Sequence, residues 1–493
     1  GVMVVRSPFL SKKKWWVRLF FPSPRQFSLS IKAHRQIMPS VTDVILMSKP
    51  TNNLTTFYIR TYGCQMNELD SEIIIGQLEK RGLKRVYRES EGDILLFNTC
   101  SIRDLAERKV MGKIGQLSRS FPKKLIGVMG CMATAKKEDL FRKLPNIDFV
   151  VGPNNISDLH AILNHLIKTG EKQIKADLQF AENLNYLAAK RNNKHKAYVS
   201  IIRGCNKFCT YCVVPYTRGR EVSRPSQDIE EECRLLVSQG YKEITLLGQN
   251  VNSYGKDKPE WGERFHDLLY RLDKIDGLKR LRFMTSHPID IQVELMQAMR
   301  DLPSLCESIH FPIQSGSNRI LKMMHRMYSK EEYFAKVTLL KSIIPNISLG
   351  TDIIVGFPTE SEEDFEETLN VFRHIRYSIA FCYTYSPRKG TPAIRWGDTV
   401  PRDVKESRLQ RLMFLHESIC AQERKDFIGK EVEVLVEEQN KEGLLKGRTR
   451  CWKKVIFSGA DSLIGTFQTI KLYATHHQTL IGKRVVNRNI MHS

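Results

Sequence analysis

No run of 18 or more apolar residues occurs in the 493-residue chain, so no segment reads as a membrane-spanning helix. Acids are scarce: 54 Asp and Glu stand against 77 Lys and Arg, a net charge of +23. That imbalance argues against a basic partner and for a polyanion, nucleic acid first. Cysteine is thin as well. Eleven cysteines in a chain of this length make no dense disulfide framework, which argues against a stapled secreted scaffold. Histidine is missing where zinc would want it: His195 is the nearest before residue 205, and none follows until His266. A structural zinc site needs four protein ligands, usually in short-spaced pairs.

What is present is a cluster of thiols. The stretch AYVSIIRGCNKFCTYCVVPYTRGRE (197–221) runs from an apolar strand into Gly204 and then Cys205, Cys209 and Cys212, spaced C-x3-C-x2-C. Thiolate is the ligand that iron–sulfur clusters and zinc prefer. Three such ligands on one loop, without a fourth, suggest a cubane cluster with one iron open to a small molecule. A zinc loop borrowing a distant ligand, or three unrelated core cysteines, are the other readings. Clustered thiols and an open iron both need a reducing compartment, which places the protein inside a cell.

Along the chain, residues 1–54 read as a basic extension. Its first 53 residues carry nine Lys or Arg and one acid, Asp43, so +8 of the net charge lies there. The stretch reads as disordered, or as sequence upstream of a start at Met38 or Met47. Serine and arginine without acids also resemble an organellar transit peptide, so the expected location is the cytoplasm, with an organelle as the alternative. Residues 55–171 form the first expected domain. Three times an apolar strand ends in a cysteine: FYIRTYGC at Cys64, DILLFNTC at Cys100 and LIGVMGC at Cys131. Helical patterns at 71–81 and 102–118 lie between them, and a strand at 149–151 and a helix at 156–166 follow. Strands alternating with helices predict a parallel sheet, whose carboxyl edge would bring the three cysteines together. Buried structural cysteines are the plainer alternative.

Residues 172–190 read as a polar linker. From 191 to 425 six strand patterns (198–202, 244–247, 281–284, 308–311, 349–355 and 381–384) alternate with helical ones. That is two short of a closed eight-fold barrel, so an open (βα)6 partial barrel is expected, with a lateral gap wide enough for a macromolecule. Polar or glycine-bearing loops follow the strands: GQNVNSYG (248–255), TSHP (285–288), PIQSGS (312–317) and GFPTE (356–360). A helix at 401–427 leads into 427–490, where strand-like alternation and glycine turns suggest a small β-barrel. Lys446, Arg448, Arg450, Lys453 and Lys454, with Trp452 among them, have the mix of charge and aromatic rings that suits RNA. A solvated loop is the plain alternative. The fold class is α/β with a small all-β tail.

C-x3-C-x2-C with Tyr211 before its last cysteine resembles the signature of radical S-adenosylmethionine enzymes. YGCQMNELDSE (62–72), RGCNKFCTYCVVPYTRGRE (203–221), GQNVNSY (248–254), TSHP, HFPIQSGS (310–317), DIIVGFP (352–358) and YSPRKGTPA (385–393) together resemble the methylthiotransferase branch of that superfamily. GQNVNSY speaks for the subgroup acting on N6-dimethylallyladenosine beside the tRNA anticodon, against relatives acting on threonylcarbamoyl-adenosine or on a ribosomal protein. A non-catalytic iron–sulfur RNA-binding protein is the competing class. Thr359, Met327 and the segment 467–477 depart from the pattern.

The resemblance implies two 4Fe-4S clusters. Cys205, Cys209 and Cys212 would hold the one that binds S-adenosylmethionine, and Cys64, Cys100 and Cys131 an auxiliary one. One S-adenosylmethionine would methylate sulfur and another would furnish the 5′-deoxyadenosyl radical that opens C2 of the adenosine. Tyr211, Gln249, Asn250, Ser286, Gln314 and Asp352 are candidate cofactor contacts. Arg218, Arg220, Lys446, Arg448, Arg450, Trp452 and Lys453 are candidate contacts to tRNA, through a C-terminal TRAM barrel. A flavodoxin or ferredoxin as electron donor and a monomeric state complete the expectation.

Overall fold

The computed structural model describes residues 54–101, 104–179, 186 and 189–485. The basic stretch 1–53 and everything after 485 lie outside the described residues, as does Ile102, where the second helix was expected to start.

Six parallel strands make the N-terminal sheet: β1 (Thr56–Thr61), β2 (Lys84–Val86), β3 (Ile94–Thr99), β4 (Leu125–Gly130), β5 (Phe149–Val151) and β6 (Gln173–Lys175), in the order β2-β1-β3-β4-β5-β6. β3 and β4, ILLFNT and LIGVMG, are buried along their whole length. Central parallel strands with both faces covered write such unbroken apolar runs. Helices α1 (Gln65–Lys80), α2 (Asp104–Ser120), α3 (Cys131–Lys136), α4 (Glu138–Lys143) and α5 (Leu159–Thr169) intervene. Chain direction across the sheet reverses between β1 and β3, which opens a crevice at their carboxyl ends. β6 corrects the linker expectation for 172–190: its register, Phe149↔Gln173 to Val151↔Lys175, makes 173–175 the edge of this sheet.

The core begins with β7 (Lys196–Ser200), a short antiparallel pair β8 (Ile202–Arg203) and β9 (Val222–Ser223), and between them α6 (Val214–Thr217). β10 (Glu243–Leu247), β11 (Arg280–Phe283), β12 (Ser308–His310), β13 (Ser348–Val355) and β14 (Ile379–Thr384) follow. They alternate with α7 (Ser226–Ser238), α8 (Phe265–Asp273), α9 (Val293–Asp301), α10 (Asn318–Met323), α11 (Lys330–Ile343) and α12 (Glu362–Ile375). β11-β10-β7 and β12-β13-β14 are parallel sheets, stitched by a parallel bridge between Leu281 and Leu305. Among the described residues no ladder joins β14 back to β7, so the six-stranded barrel is open. α1 packs against the free edge of β7.

Helix α13 (Arg402–Lys425) leads to a closed barrel of β15 (Glu431–Gln439), β16 (Leu445–Thr449), β17 (Lys454–Phe457), β18 (Phe467–His476) and β19 (Thr479–Arg484). Val434, Val436, Leu445, Val455, Phe457, Ile470, Leu472 and Leu480 fill it. The barrel sits on the amino ends of the core strands. Arg280, at the start of β11 and fully buried, pairs with Glu433 at 2.8 Å and donates to the carbonyls of Arg448 (2.9 Å) and Glu433 (3.1 Å). Arg282 donates to the carbonyls of Thr449 (2.9 Å) and Arg450 (2.6 Å) and lies 4.6 Å from the Trp452 ring.

Arg280→Ala removes four charge-assisted hydrogen bonds at this seam. The expected cost is about 2 kcal/mol, with faster proteolytic release of the barrel near residue 430. An unchanged melting temperature and digestion pattern would contradict the docking role.

Candidate active site

The 205–212 loop is an excursion pinched at its neck. β8 pairs with β9, the Cys205 amide donates to the Gly219 carbonyl at 3.2 Å, and Gly204 adopts φ +79°. A Cβ at 204 would be driven into the Arg220 carbonyl, so glycine is required there. Gln249 closes the neck from the next strand end, its Oε1 accepting the Gly204 amide at 2.7 Å. From the other side α10 caps the loop, with the Met324 carbonyl accepting the Thr210 amide at 3.1 Å and the Met323 carbonyl the Thr210 hydroxyl at 2.8 Å.

The three thiols are near enough for their charges to act on one another. Burial pushes the Cys205 thiol up to about 12, with the neighbouring Glu221 and Cys209 adding to the rise. Burial also raises the Cys212 thiol, helped by Cys209 and Cys205. Desolvated sulfurs with the Val214 amide 3.5 Å from Cys212 Sγ suit thiolates held to a metal.

The N-terminal cysteines also gather at one edge. Cys64 follows β1, Cys100 follows β3, and Cys131 opens α3 after β4. A Cβ on Gly63 would come within 2.8 Å of Cys100 Cβ. The Cys64 thiol is raised by burial and by Cys131, against the pull of Arg218. A buried asparagine clasp shapes this edge: Asn67 donates to Asn98 Oδ1 (3.0 Å) and the Thr99 carbonyl (3.1 Å), and Asn98 donates back to the Asn67 carbonyl (2.8 Å). Among the described residues no three His, Cys, Asp or Glu lie close enough to hold a single metal ion. In a cubane each thiolate binds a different iron, so its ligands stand further apart than those of one ion.

Two arginines bind the sets together. Arg203 and Arg218 flank the loop, and both pair with Asp70 of α1, Arg218 at 2.9 Å. All three are buried. Arg203 also donates to Tyr186 Oη at 2.9 Å. Arg218 lies near enough to Cys131 and Cys64 for their charges to raise its own affinity for its proton. Its Nη1 is buried with no hydrogen-bond partner among the described residues. α6, which follows Cys212, packs against α3, which begins at Cys131.

This corrects the expectation that Arg218 meets RNA; Arg220, exposed and 4.2 Å from the Phe208 ring, remains free to. Asn250 is consumed internally, donating to Ser253 Oγ (2.5 Å) and Asp290 (2.6 Å) and accepting from the His287 amide (3.0 Å), so it braces the mouth and is not free for a cofactor. Ser286 Oγ and His287 Nε2, in contrast, are buried with no hydrogen-bond partner among the described residues, as groups facing a ligand would be. Gln314 holds φ +78°, fixed by backbone bonds to Asp352 and Ile354 (both 3.0 Å), and such strain is common at binding sites. Asp352 lies 3.3 Å from the His310 ring. Tyr211 is half-buried against the cluster of Ile320, Met324, Phe357, Tyr385 and Ala393.

The barrel residues expected to bind RNA are mostly spent on the core. Arg450 grips Glu307 (2.8 and 2.9 Å), Lys453 pairs with Glu423 (2.6 Å), Trp452 lies under Arg282 and Arg448, and Lys446 pairs with Glu438 (2.6 Å). Arg448 is 3.5 Å from Glu437. Asp70 and Arg326 are residues that sequence reasoning missed. Asp70 stands inside YGCQMNELDSE with no signal of its own, and Arg326 is one of two Lys or Arg, with Lys322, in the run LKMMHRMY.

The raised thiols fix how metal enters. Burial biases Cys205 and Cys212 toward the protonated thiol in the metal-free chain, whereas thiolate is the form that binds metal. A metal held by these two thiols would displace both protons, so its loading would release them and strengthen as pH rises. Loading that is indifferent to pH between roughly 6 and 9 would contradict this.

Comparison with known proteins agrees with the architecture. Residues 56–152 match the Uncharacterized protein family UPF0004, residues 199–372 the Radical SAM superfamily and residues 425–485 the TRAM domain. A tRNA-2-methylthio-N(6)-dimethylallyladenosine synthase from Protochlamydia amoebophila is 62% identical over 445 residues, covering 90% of this chain and 98% of that protein. One of the same description from Clostridium botulinum (strain Langeland) is 45% identical over 448 residues, covering 90% and 99%. Among solved structures, a radical S-adenosylmethionine methyltransferase, TsrM, from Kitasatospora setae shares the fold, with TM-score 0.50, 12% identity and coverage of 69% of this chain and 74% of that one. The chain belongs to the tRNA-2-methylthio-N(6)-dimethylallyladenosine synthase family of radical S-adenosylmethionine enzymes.

Proposed function

We propose that this enzyme transfers a methylthio group to C2 of N6-dimethylallyladenosine beside the anticodon of tRNA, with two 4Fe-4S clusters, one on Cys205, Cys209 and Cys212 and one on Cys64, Cys100 and Cys131. When bound, the clusters and S-adenosylmethionine supply the radical, the methyl group and the sulfur. One juxtaposition carries the proposal. Arg218 stands six residues past Cys212 and beside Cys64 and Cys131, so the chemistry of one thiol set is within reach of the other.

The chain's own residues have definable tasks. Gly204, Gln249 and α10 hold the 205–212 loop in one shape. Asp70, through Arg203 and Arg218, keeps the N-terminal edge docked on that loop. Ser286 and His287 offer unpaired polar atoms at the mouth; burial together with the Arg326 charge keeps His287 neutral, and because its Nδ1 accepts the Ile289 amide at 3.3 Å, its Nε2 carries the proton and donates. The open side of the six-stranded barrel admits a nucleotide still attached to its RNA.

For the RNA itself, the outer face of β18 and β19 is the better candidate than the docked strands. Lys471 and Lys483 are directly opposed in register and both exposed, Tyr473 is 53% exposed with Lys483 5.8 Å from its ring, and Arg484 follows. Like charges facing across two strands repel until a polyanion neutralises them. A one-electron donor of the flavodoxin or ferredoxin type, a monomeric state and a cytoplasmic location complete the proposal.

Nucleoside analysis of tRNA from cells lacking the gene tests the substrate. The 2-methylthio derivative of dimethylallyladenosine should vanish and return with the wild-type gene but not with Cys209→Ala. Loss of the threonylcarbamoyl derivative instead would sink the assignment. Anaerobically reconstituted protein should hold about eight iron, falling to about four in Cys64→Ala; equal iron in both would refute the second cluster. Lys471→Glu with Lys483→Glu should weaken tRNA binding at least tenfold and flatten its salt dependence by about two units of slope.

A further inference from the structure

Arg326 is a buried cation that no carboxylate among the described residues answers. It leaves the end of α10 between His325 and Met327, which hold φ +58° and +56°. Two consecutive-but-one left-handed residues without glycine are a strained way to turn a chain, and here the turn delivers one guanidinium inward. Arg326 is 3% exposed. Its Nε donates to Tyr328 Oη at 2.8 Å and its Nη2 to the Pro312 carbonyl at 2.8 Å. Nη1 points at the thiol loop, 3.4 Å from Cys209 Sγ and 3.5 Å from Tyr211 Oη.

Every other fully buried arginine named above has an acid: Arg203 and Arg218 share Asp70, and Arg280 has Glu433. Arg326 makes no ion pair with any carboxylate among the described residues. A buried charge met only by neutral acceptors is strongly unfavourable, so an anion is required nearby. The candidates within reach are sulfurs. Three thiolates on a cubane make a net anionic centre, and uptake of one electron makes it more anionic by one unit. Fixed positive charge and N–H donors at the sulfurs favour the reduced state.

We propose, on the cluster assignment above, that Arg326 is the counter-charge of the Cys205, Cys209 and Cys212 centre, donating through Nη1 to Cys209 Sγ and raising the reduction potential of the cluster held there. The electron comes from an external one-electron reductant. Arg326 remains protonated throughout, and no bond to it forms or breaks. It is a positioning residue in the sense that it acts on the electron's energy, not on the substrate.

The test uses the full-length chain carrying Cys64→Ala, Cys100→Ala and Cys131→Ala, reconstituted with iron and sulfide, so that a single cluster is read. Mediated redox titration is followed by the electron paramagnetic resonance of the reduced cluster. With iron content unchanged, Arg326→Gln should show at least a tenfold lower ratio of reduced to oxidised cluster at a fixed potential, a shift of 59 mV for one electron. Arg326→Lys should recover part of it. Tyr328→Phe, which loosens the same side chain but leaves the charge, should shift the ratio much less. A purely structural tie would make Tyr328→Phe and Arg326→Gln alike.

Unshifted potential in an iron-replete Arg326→Gln overturns the proposal. If that variant takes up no iron, pulsed resonance on the chain with Arg326 intact and 15N-arginine incorporated decides: guanidinium nitrogen coupled to the reduced cluster is expected, and its absence overturns the proposal. A background chain that binds no iron overturns the cluster assignment and this proposal with it.

Discussion

Asp70 takes two guanidinium ions, Arg203 and Arg218, out of water together, and the relation between the two halves of the site follows from that. One acid against two bases leaves the buried group with a surplus positive charge. Such a group is stable only if more negative charge stands beside it. Cys64 and Cys131 stand there, and their charges are what raise the Arg218 proton affinity most, along with Asp70 itself. The same bonds fix the carboxyl edge of the N-terminal sheet against the neck of the 205–212 loop. Glu72, two residues on, repeats the device with Arg191, which also reaches Glu232 of α7. The acids of one short helical segment thus dock one domain on the next.

Positive charge stands beside each of the two thiol sets. Arg218 stands by the N-terminal thiols and Arg326 by the loop thiols. Free of metal, Cys205 and Cys212 are biased toward the thiol because burial disfavours the thiolate. On the proposed cluster assignment the arginines would pre-arrange the field that an anionic cluster needs, and one of them is placed by the left-handed backbone at His325 and Met327. The excess charge noted from composition is therefore not all for RNA; part of it serves the interior.

Much of the fold is legible in the sequence because parallel strands covered on both faces are written as unbroken apolar runs. ILLFNT and LIGVMG announce themselves, and a cysteine directly after such a run must lie at the sheet's carboxyl edge. The open barrel follows from counting six strand–helix units. What local pattern does not carry is which acid meets which base. Arg218 finds Asp70 across 148 residues of sequence and Arg450 finds Glu307 across 143. Without that knowledge every arginine reads as surface, and so Arg218, Arg450 and Lys453 looked like RNA contacts. Lys471 and Lys483 were passed over because their opposition appears only once β18 and β19 are in register. Arg326 had no periodic signal at all, since its direction is set by two left-handed neighbours.

Two thiol sets, far apart in sequence, are proposed to hold separate iron centres on either side of Arg218. An anaerobic crystal structure of reconstituted protein, with anomalous density at the iron edge, tests this directly. Two iron peaks are predicted, one bounded by Cys64, Cys100 and Cys131 and the other by Cys205, Cys209 and Cys212, with the Arg218 guanidinium between them. A single peak, or a second one away from the carboxyl ends of β1, β3 and β4, would contradict the account.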